Sequence, residues 1–255
     1  MRIAVFADVH GNLRALDAVL ADVAGHSPDV IVNLGDCVSG PLNAADTAER
    51  LIATNFLTIR GNCDRQVVMQ SLAEMGASDR AAAEQLATAH RAWLAALPAS
   101  AVIGDVLLCH GTPASDSEYL LERVTSAGAA AASITEIRER LGDVRQSLVL
   151  CAHSHMPRFV DIPDGPLILN PGSVGLPAYS ETAGIPYVME TGTPHARYAI
   201  VERRGARWHA HFRVLEYDWD AAASDAYRAG RVDWAHALAT GRAMREEQPM
   251  SAVDE

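Results

Sequence analysis

Three times in its first 64 residues the chain runs a short apolar stretch into a polar loop, with helical spacing beyond. The first stretch, Ile3-Ala4-Val5-Phe6-Ala7, ends at Asp8-Val9-His10-Gly11-Asn12. The second, over 29–34, ends at Gly35-Asp36-Cys37, and the third, over 56–60, ends at Gly61-Asn62-Cys63-Asp64. After the first loop Leu13, Leu16, Leu20 and Val23 recur at helical spacing to about residue 24, with Asn12 placed to cap them. A second helix is expected over 41–54. Successive strand–helix units of this kind restrict the chain to an α/β fold with a parallel core and right-handed crossovers. In such folds the loops at the carboxyl ends of the strands carry the ligand-binding groups. Asp8, His10, Asp36 and Asn62 all fall in those loops.

Beyond residue 64 the pattern loosens. Residues 65–97 predict two helices broken near 76–79, with Pro98 as the stop. Residues 101–103 and 106–109 predict a β-hairpin around Gly104-Asp105 that opens a second sheet and ends at His110-Gly111. Residues 115–125 fit no single pattern, and 127–141 predict a helix. A strand over 147–151 leads into Ala152-His153-Ser154-His155, and short strands over 158–162 and 167–169 precede Asn170-Pro171-Gly172-Ser173. Residues 178–194 predict an irregular loop or short hairpin. Antiparallel strands over 196–202 and 207–216 follow, then one or two helices over 220–245.

Composition bounds the function. With 255 residues, 49% of them hydrophobic, the chain has material for a full core in one domain over 1–245, leaving 246–255 as an expected disordered tail. A formal net charge of -11 disfavours nucleic acid and anionic membrane as partners. An anionic substrate would then need local positive charge, most simply from metal ions. The apolar run before Asp8 is too short for a signal peptide or a membrane span. Cys37, Cys63, Cys109 and Cys151 are scattered without a Cys-x-x-Cys pair, which fits reduced thiols and a cytoplasmic location. Homo-oligomer formation is left open.

Collected, the strand-end loops offer Asp8, His10, Asp36, Asn62, His110, His153 and His155. Mixed imidazole and oxygen ligands suit manganese, iron, zinc, nickel or cobalt better than calcium or magnesium. The order Asp-x-His, Gly-Asp, Gly-Asn-x-Asp, His-Gly, His-x-His resembles the calcineurin-like metallophosphoesterase superfamily. Within it, Gly-Asn-Cys-Asp and the late Asn-Pro-Gly-Ser segment are similar to the compact bacterial and archaeal phosphodiesterase group. That resemblance implies an α/β four-layer αββα sandwich, two mixed β-sheets flanked by helices, with two divalent metal ions at the sheet ends. It implies Asp8, His10, Asp36 and His155 around one ion, and Asp36, Asn62, His110 and His153 around the other, with Asp36 bridging. Two divalent ions against two carboxylates leave about +2, which attracts a phosphate and brings a bridging water toward hydroxide at neutral pH for in-line attack.

The resemblance also marks a departure. Better-known phosphatases of the superfamily carry a histidine where this chain has Cys63, and that histidine is thought to assist the leaving oxygen. A neutral thiol is a poor acid for an alkoxide, and a thiolate has no proton to give. The expectation is therefore a phosphodiesterase acting on a small phosphorylated substrate such as a nucleotide. Alternatives on the same site are a dinucleoside polyphosphate hydrolase and a phosphomonoesterase. A noncatalytic binding module, as in the metallophosphoesterase-like subunit of retromer, is the alternative of another class. Asp64 is expected to cap the following helix or orient a ligand, and Arg65 to clamp a phosphate oxygen. Asn12 and the 170–173 turn are expected to support the site. If 178–194 folds over the metals, Tyr179, Tyr187 or His195 is expected to meet the substrate.

Overall fold

The computed structural model describes residues 1–245, so the tail expected over 246–255 lies outside the described residues. The three opening units form as the pattern requires. Strands β1 (Arg2–Phe6), β2 (Val30–Asn33) and β3 (Leu57–Thr58) pair in parallel. Helix α1 (Leu13–Ala24) starts where the Asn12 side chain accepts the Ala15 N–H at 3.2 Å, and it buries Ala15, Leu16, Val19 and Val23. Helix α2 (Ala44–Thr54) connects β2 to β3.

The stretch after β3 departs from expectation. It forms three helices, α3 (Asn62–Met69), α4 (Ala77–Gln85) and α5 (Thr88–Ala96). The Gly-Asn-Cys-Asp segment is the first turn of α3 rather than a loop, because the Asp64 carboxylate takes the Gly61 N–H at 3.0 Å and closes that turn.

The second sheet begins with the hairpin β4 (Ser100–Ile103) and β5 (Val106–Cys109). A small hairpin follows, β6 (Glu122–Thr125) with β7 (Gly128–Ala131), where helix was expected from residue 127. Gly128 has φ +103°, which is incompatible with a helix, and the helix signal comes later. Ser133 and Glu136 cap each other's backbone, so α6 runs only over Ile134–Leu141. Strands β8 (Leu148–Leu150), β9 (Arg158–Asp161) and β10 (Leu167–Asn170) complete a five-stranded sheet in the order β4-β5-β8-β10-β9, with β5, β8 and β10 parallel.

The hairpin β11 (Ala178–Glu181) and β12 (Tyr187–Glu190) stands apart from both large sheets. Strands β13 (Ala196–Arg204) and β14 (Arg207–Leu215) return to the first sheet, ordered β14-β13-β1-β2-β3, and α7 (Trp219–Arg228) and α8 (Val232–Thr240) close the described chain.

Alternation along each strand decides the layers. Ile3, Val5, Val32 and Leu34 face Val106, Leu108, Leu148 and Leu150 between the two sheets. Ala4, Phe6 and Tyr198 pack outward on Leu16, Val19 and Val23 of α1, while Leu107, Val149 and Ile168 pack on Ile137 and Leu141 of α6. The result is helix, sheet, sheet, helix, with the carboxyl ends of β1, β2, β3, β5 and β8 bearing the expected ligand residues. Among the described residues no helix is long and apolar enough to cross a membrane.

Candidate metal centre

All seven expected ligand residues come together. Asp8, His10 and His155 form one group and Asp36, His110 and His153 another, with the donor atoms of each group within 4.8 Å of one another. Asp36 lies between them, its Oδ2 3.9 Å from His10 Nε2 and 3.3 Å from His110 Nε2. Asn62 Oδ1 is 3.1 Å from His110 Nε2, so the amide joins the second group.

Second partners fix how the imidazoles face. His10 Nδ1 donates to the Ser39 carbonyl at 2.8 Å, His155 Nδ1 to the Leu176 carbonyl at 2.7 Å, and His110 Nδ1 to the Leu34 carbonyl at 2.8 Å. A carbonyl only accepts, so each Nδ1 carries the proton and each Nε2 turns inward. His10 and His155 therefore bring two Nε2 atoms to 3.1 Å. Asp8 is fully buried, and neither of its carboxylate oxygens has a hydrogen-bond partner among the described residues. Opposed lone pairs beside an orphaned carboxylate are costly unless a cation lies among them. The donor set fits divalent metal ions.

The electrostatics agree. Burial holds His10 and His155 below the ordinary histidine range, and burial with the nearby His110 charge brings His153 down to about 4. These rings are neutral, as metal ligands must be. His110 runs the other way: burial opposes its charge, but the carboxylates of Asp36 and Asp8 outweigh it and push it up to about 10. Positive charge belongs at this place. Burial raises Asp8 well above the usual carboxylate range, whereas for Asp36 the charge and hydrogen bond of His110 overcome burial and hold it low.

The remaining expected residues divide. Cys63 lines the cavity over the site, its backbone N–H donating to Asp36 Oδ1 at 2.9 Å. Burial and then Asp36 raise its thiol well above the ordinary range, so it is a neutral thiol. Asp64 is fully buried and accepts the N–H groups of Asp36, Cys37 and Gly61 at 2.8, 2.9 and 3.0 Å, which makes it a positioning residue. Arg65 departs from the phosphate clamp expected of it. Its Nε and one Nη bond both oxygens of Asp116, at 2.7 and 2.8 Å, so the fork is already occupied. Asn12 caps α1 and also donates to the Gly175 carbonyl, while Ser173 Oγ donates to the Asp8 carbonyl at 2.8 Å. His195 packs on Trp219, ring centroids 5.1 Å apart, and does not line the cavity.

Sequence reasoning missed Tyr119, whose ring stacks on His153 at 4.6 Å and whose hydroxyl meets those of Tyr179 and Tyr187. It also missed Arg231 and Trp234, which line the cavity from the far end of the chain. Only Tyr119 carried a trace in the sequence, as an aromatic a few residues after His110.

The family profile of the calcineurin-like phosphoesterase superfamily domain matches residues 1–192. The chain belongs to this superfamily of phosphoester hydrolases. Its structure is similar to the metallophosphoesterase of Sphaerobacter thermophilus, with a TM-score of 0.72 at 25% identity, covering 94% of this chain and 99% of that one. A putative diadenosine tetraphosphatase shares the fold at TM-score 0.51 and 17% identity, over 83% of this chain and 93% of that one. In sequence, 77 residues are 38% identical to the phosphodiesterase YfcE of Escherichia coli, and 66 are 39% identical to an uncharacterized protein of Methanocaldococcus jannaschii. Each match spans 26% of this chain, and it spans 42% of YfcE and 27% of the archaeal protein. The calcineurin-like profile ends before α8, whose Asp233, Trp234 and Ala237 nevertheless border the cavity.

Proposed function

We propose that this chain is a metal-dependent phosphodiesterase hydrolysing a small phosphate ester such as a nucleotide. The observation that carries the reading is the Nε2–Nε2 approach of His10 and His155 beside the unpartnered Asp8 carboxylate, an arrangement that calls for cations. Asp8, His10, Asp36 and His155 would hold one ion, and Asp36, Asn62, His110 and His153 would hold the other. Bound there, two divalent ions supply the charge that attracts phosphate and lower the pKa of water into the neutral range. The protein's own part is positioning. The Ser39, Leu176 and Leu34 carbonyls hold three imidazoles in one tautomer, and Asp64 fixes the backbone that aims Asp36.

Cys63 sets the preference among esters. As a neutral thiol it contributes little as an acid, so esters with a good leaving group are favoured over alkyl monoesters. The resemblance of part of the chain to YfcE supports the diester reading. The test is hydrolysis of bis-p-nitrophenyl phosphate and p-nitrophenyl phosphate by metal-free protein resupplied with manganese, nickel, zinc or magnesium. Diester cleavage is expected to exceed monoester cleavage, and Asn62→Ala is expected to cost at least about 100-fold in kcat/KM. Cys63→His is expected to raise hydrolysis of an alkyl monoester such as glycerol 2-phosphate, whose alkoxide needs a proton, more than that of p-nitrophenyl phosphate. No turnover with any metal would overturn the reading.

A further inference from the structure

The cavity above the metal centre encloses about 440 Å³, toward the lower end of the roughly 300–1,000 Å³ usual for small-molecule sites. Its two walls come from different parts of the chain. One is aromatic: Tyr119 precedes β6, while Tyr179 and Tyr187 sit diagonally on the β11–β12 hairpin and both reach the Tyr119 hydroxyl. The other is the start of α8, where Trp234 sits edge-on to His10, ring centroids 6.0 Å apart, and Arg231 stacks on the indole at 5.6 Å. Trp234 is keyed in place, since a Cβ on Gly40 would come within 2.6 Å of its indole. Arg231 is tied to α4 by a 2.9 Å bond to Ser78 Oγ.

Two features of these walls select a ligand. The hydroxyls of Tyr119 and Tyr179 meet at 2.7 Å and those of Tyr119 and Tyr187 at 2.6 Å, so two phenol protons are used between the rings. Whichever way these bonds run, the Tyr187 oxygen keeps a free lone pair, and the Glu181 carboxylate opposite it on the hairpin also lines the cavity. The second feature is charge. Among the described residues Asp36, Glu181 and Asp233 line the cavity against Arg231 alone, and the Arg231 fork is filled by Asp233 at 2.9 and 2.6 Å. No free cation remains for phosphates beyond the one at the metals.

We propose that these walls form the subsite for the organic substituent of the ester, and that it takes a planar, hydrogen-bond-donating group of nucleobase size rather than further phosphates. The proposal rests on the hydrolase reading for its purpose but not for its measurement. Base-sized rings gain by stacking on the tyrosines, and a donor finds the Tyr187 oxygen or Glu181. A polyphosphate chain would meet the Glu181 carboxylate and, among the described residues, no free cation, which argues against a dinucleoside polyphosphate as substrate.

The test compares p-nitrophenyl esters that share a leaving group and differ in the other substituent: adenosine 5′-phosphate, methyl phosphate, and diadenosine tetraphosphate as competitor. Manganese-loaded enzyme is expected to favour the adenosine ester over the methyl ester by about tenfold or more in kcat/KM. Tyr187→Phe and Ser180→Trp, the latter adding bulk at an exposed lining position, are expected to reduce that ratio several-fold. Binding is followed in parallel by calorimetry with adenosine 5′-monophosphate and methyl phosphate. Tighter binding of the nucleotide, weakened by both variants, supports the subsite even if no ester turns over, in which case only the hydrolase reading fails. Equal affinity for the two ligands, or preference for diadenosine tetraphosphate, would overturn the proposal.

Discussion

At the scale of single residues, the site is governed by what lies behind each donor. The Ser39 carbonyl that holds His10 belongs to a residue whose hydroxyl donates to Asp79 Oδ1 at 2.6 Å. Burial pushes Asp79 up to about 6, with the Ser39 bond pulling against it. A carboxyl raised in the fold binds protons that the unfolded chain releases between pH about 4 and 6, so its contribution to stability is present at low pH and falls as pH rises through that window. Asp79→Asn keeps an acceptor for Ser39 and removes the titration. Denaturant unfolding at pH 5 and pH 7 is expected to show a smaller loss of stability on raising the pH for Asp79→Asn than for wild type, by about 1 kcal/mol. An equal loss in both would show that Asp79 titrates normally. Asn62, His110 and the His-x-His pair were legible as donors from residue type and position alone. Tyr119 and Arg65 were not, because their roles depend on contacts with residues distant in sequence.

At the scale of elements, the donors are aimed by unusual backbone. Asp8, His10, Asp36, His153 and His155 have φ of +54°, +51°, +54°, +71° and +60°, a region that costs a non-glycine residue on the order of 1–2 kcal/mol. Bonds between loops offset this strain: Asp8 N–H to the Gly35 carbonyl at 2.9 Å, His10 N–H to Asp36 at 3.0 Å, and Gly175 N–H to Asp8 at 3.0 Å. The loops after β1 and β2 and the turn after β10 therefore form one interlocked unit. Gly61 shows how little room that unit leaves, since a Cβ there would overlap Asp36 Oδ1 and backbone N. Gly61→Ala is expected to displace the Asp36 carboxylate, costing about 1–3 kcal/mol in stability and most of the affinity for the second metal ion. Chemical denaturation and manganese titration of the same variant measure both. Retention of two bound ions would show that Asp36 has freedom the structure does not display.

At the scale of the whole molecule, the two sheets are joined by a dry core but separated at one end by the ligand cluster. Sheet one supplies Asp8, His10, Asp36 and Asn62, and sheet two supplies His110, His153 and His155, so ions held by this set would tie the sheets together. Metal binding should accordingly be a global stabiliser. At metal concentrations about 100-fold above Kd the gain is ~2.7 kcal/mol, or roughly 5–10 °C in Tm for a chain of this size. Asp8→Asn is expected to invert the order. Without metal it should melt no lower than wild type, since a buried uncompensated carboxylate is gone, and with manganese it should gain less. Differential scanning calorimetry of the two proteins with and without metal decides it. A large loss in metal-free Asp8→Asn would mean the carboxylate is satisfied by something other than a cation.

The amino-acid sequence by itself determined the strand–helix repetition, the hairpin that opens the second sheet, and the identity and order of seven donors. These are properties of local periodicity and side-chain chemistry, which need no knowledge of what meets what. The tertiary structure decided the rest. Helix 127–141 gave way to a hairpin because Gly128 adopts a positive φ and the Ser133–Glu136 cap lies further on. His10 and His155, 145 residues apart, meet because two sheets close face to face. The tyrosine cluster and the α8 wall exist only where hairpin, loop and carboxyl-terminal helix converge. Such convergence is a sum of long-range contacts whose free energy no local stretch of sequence contains.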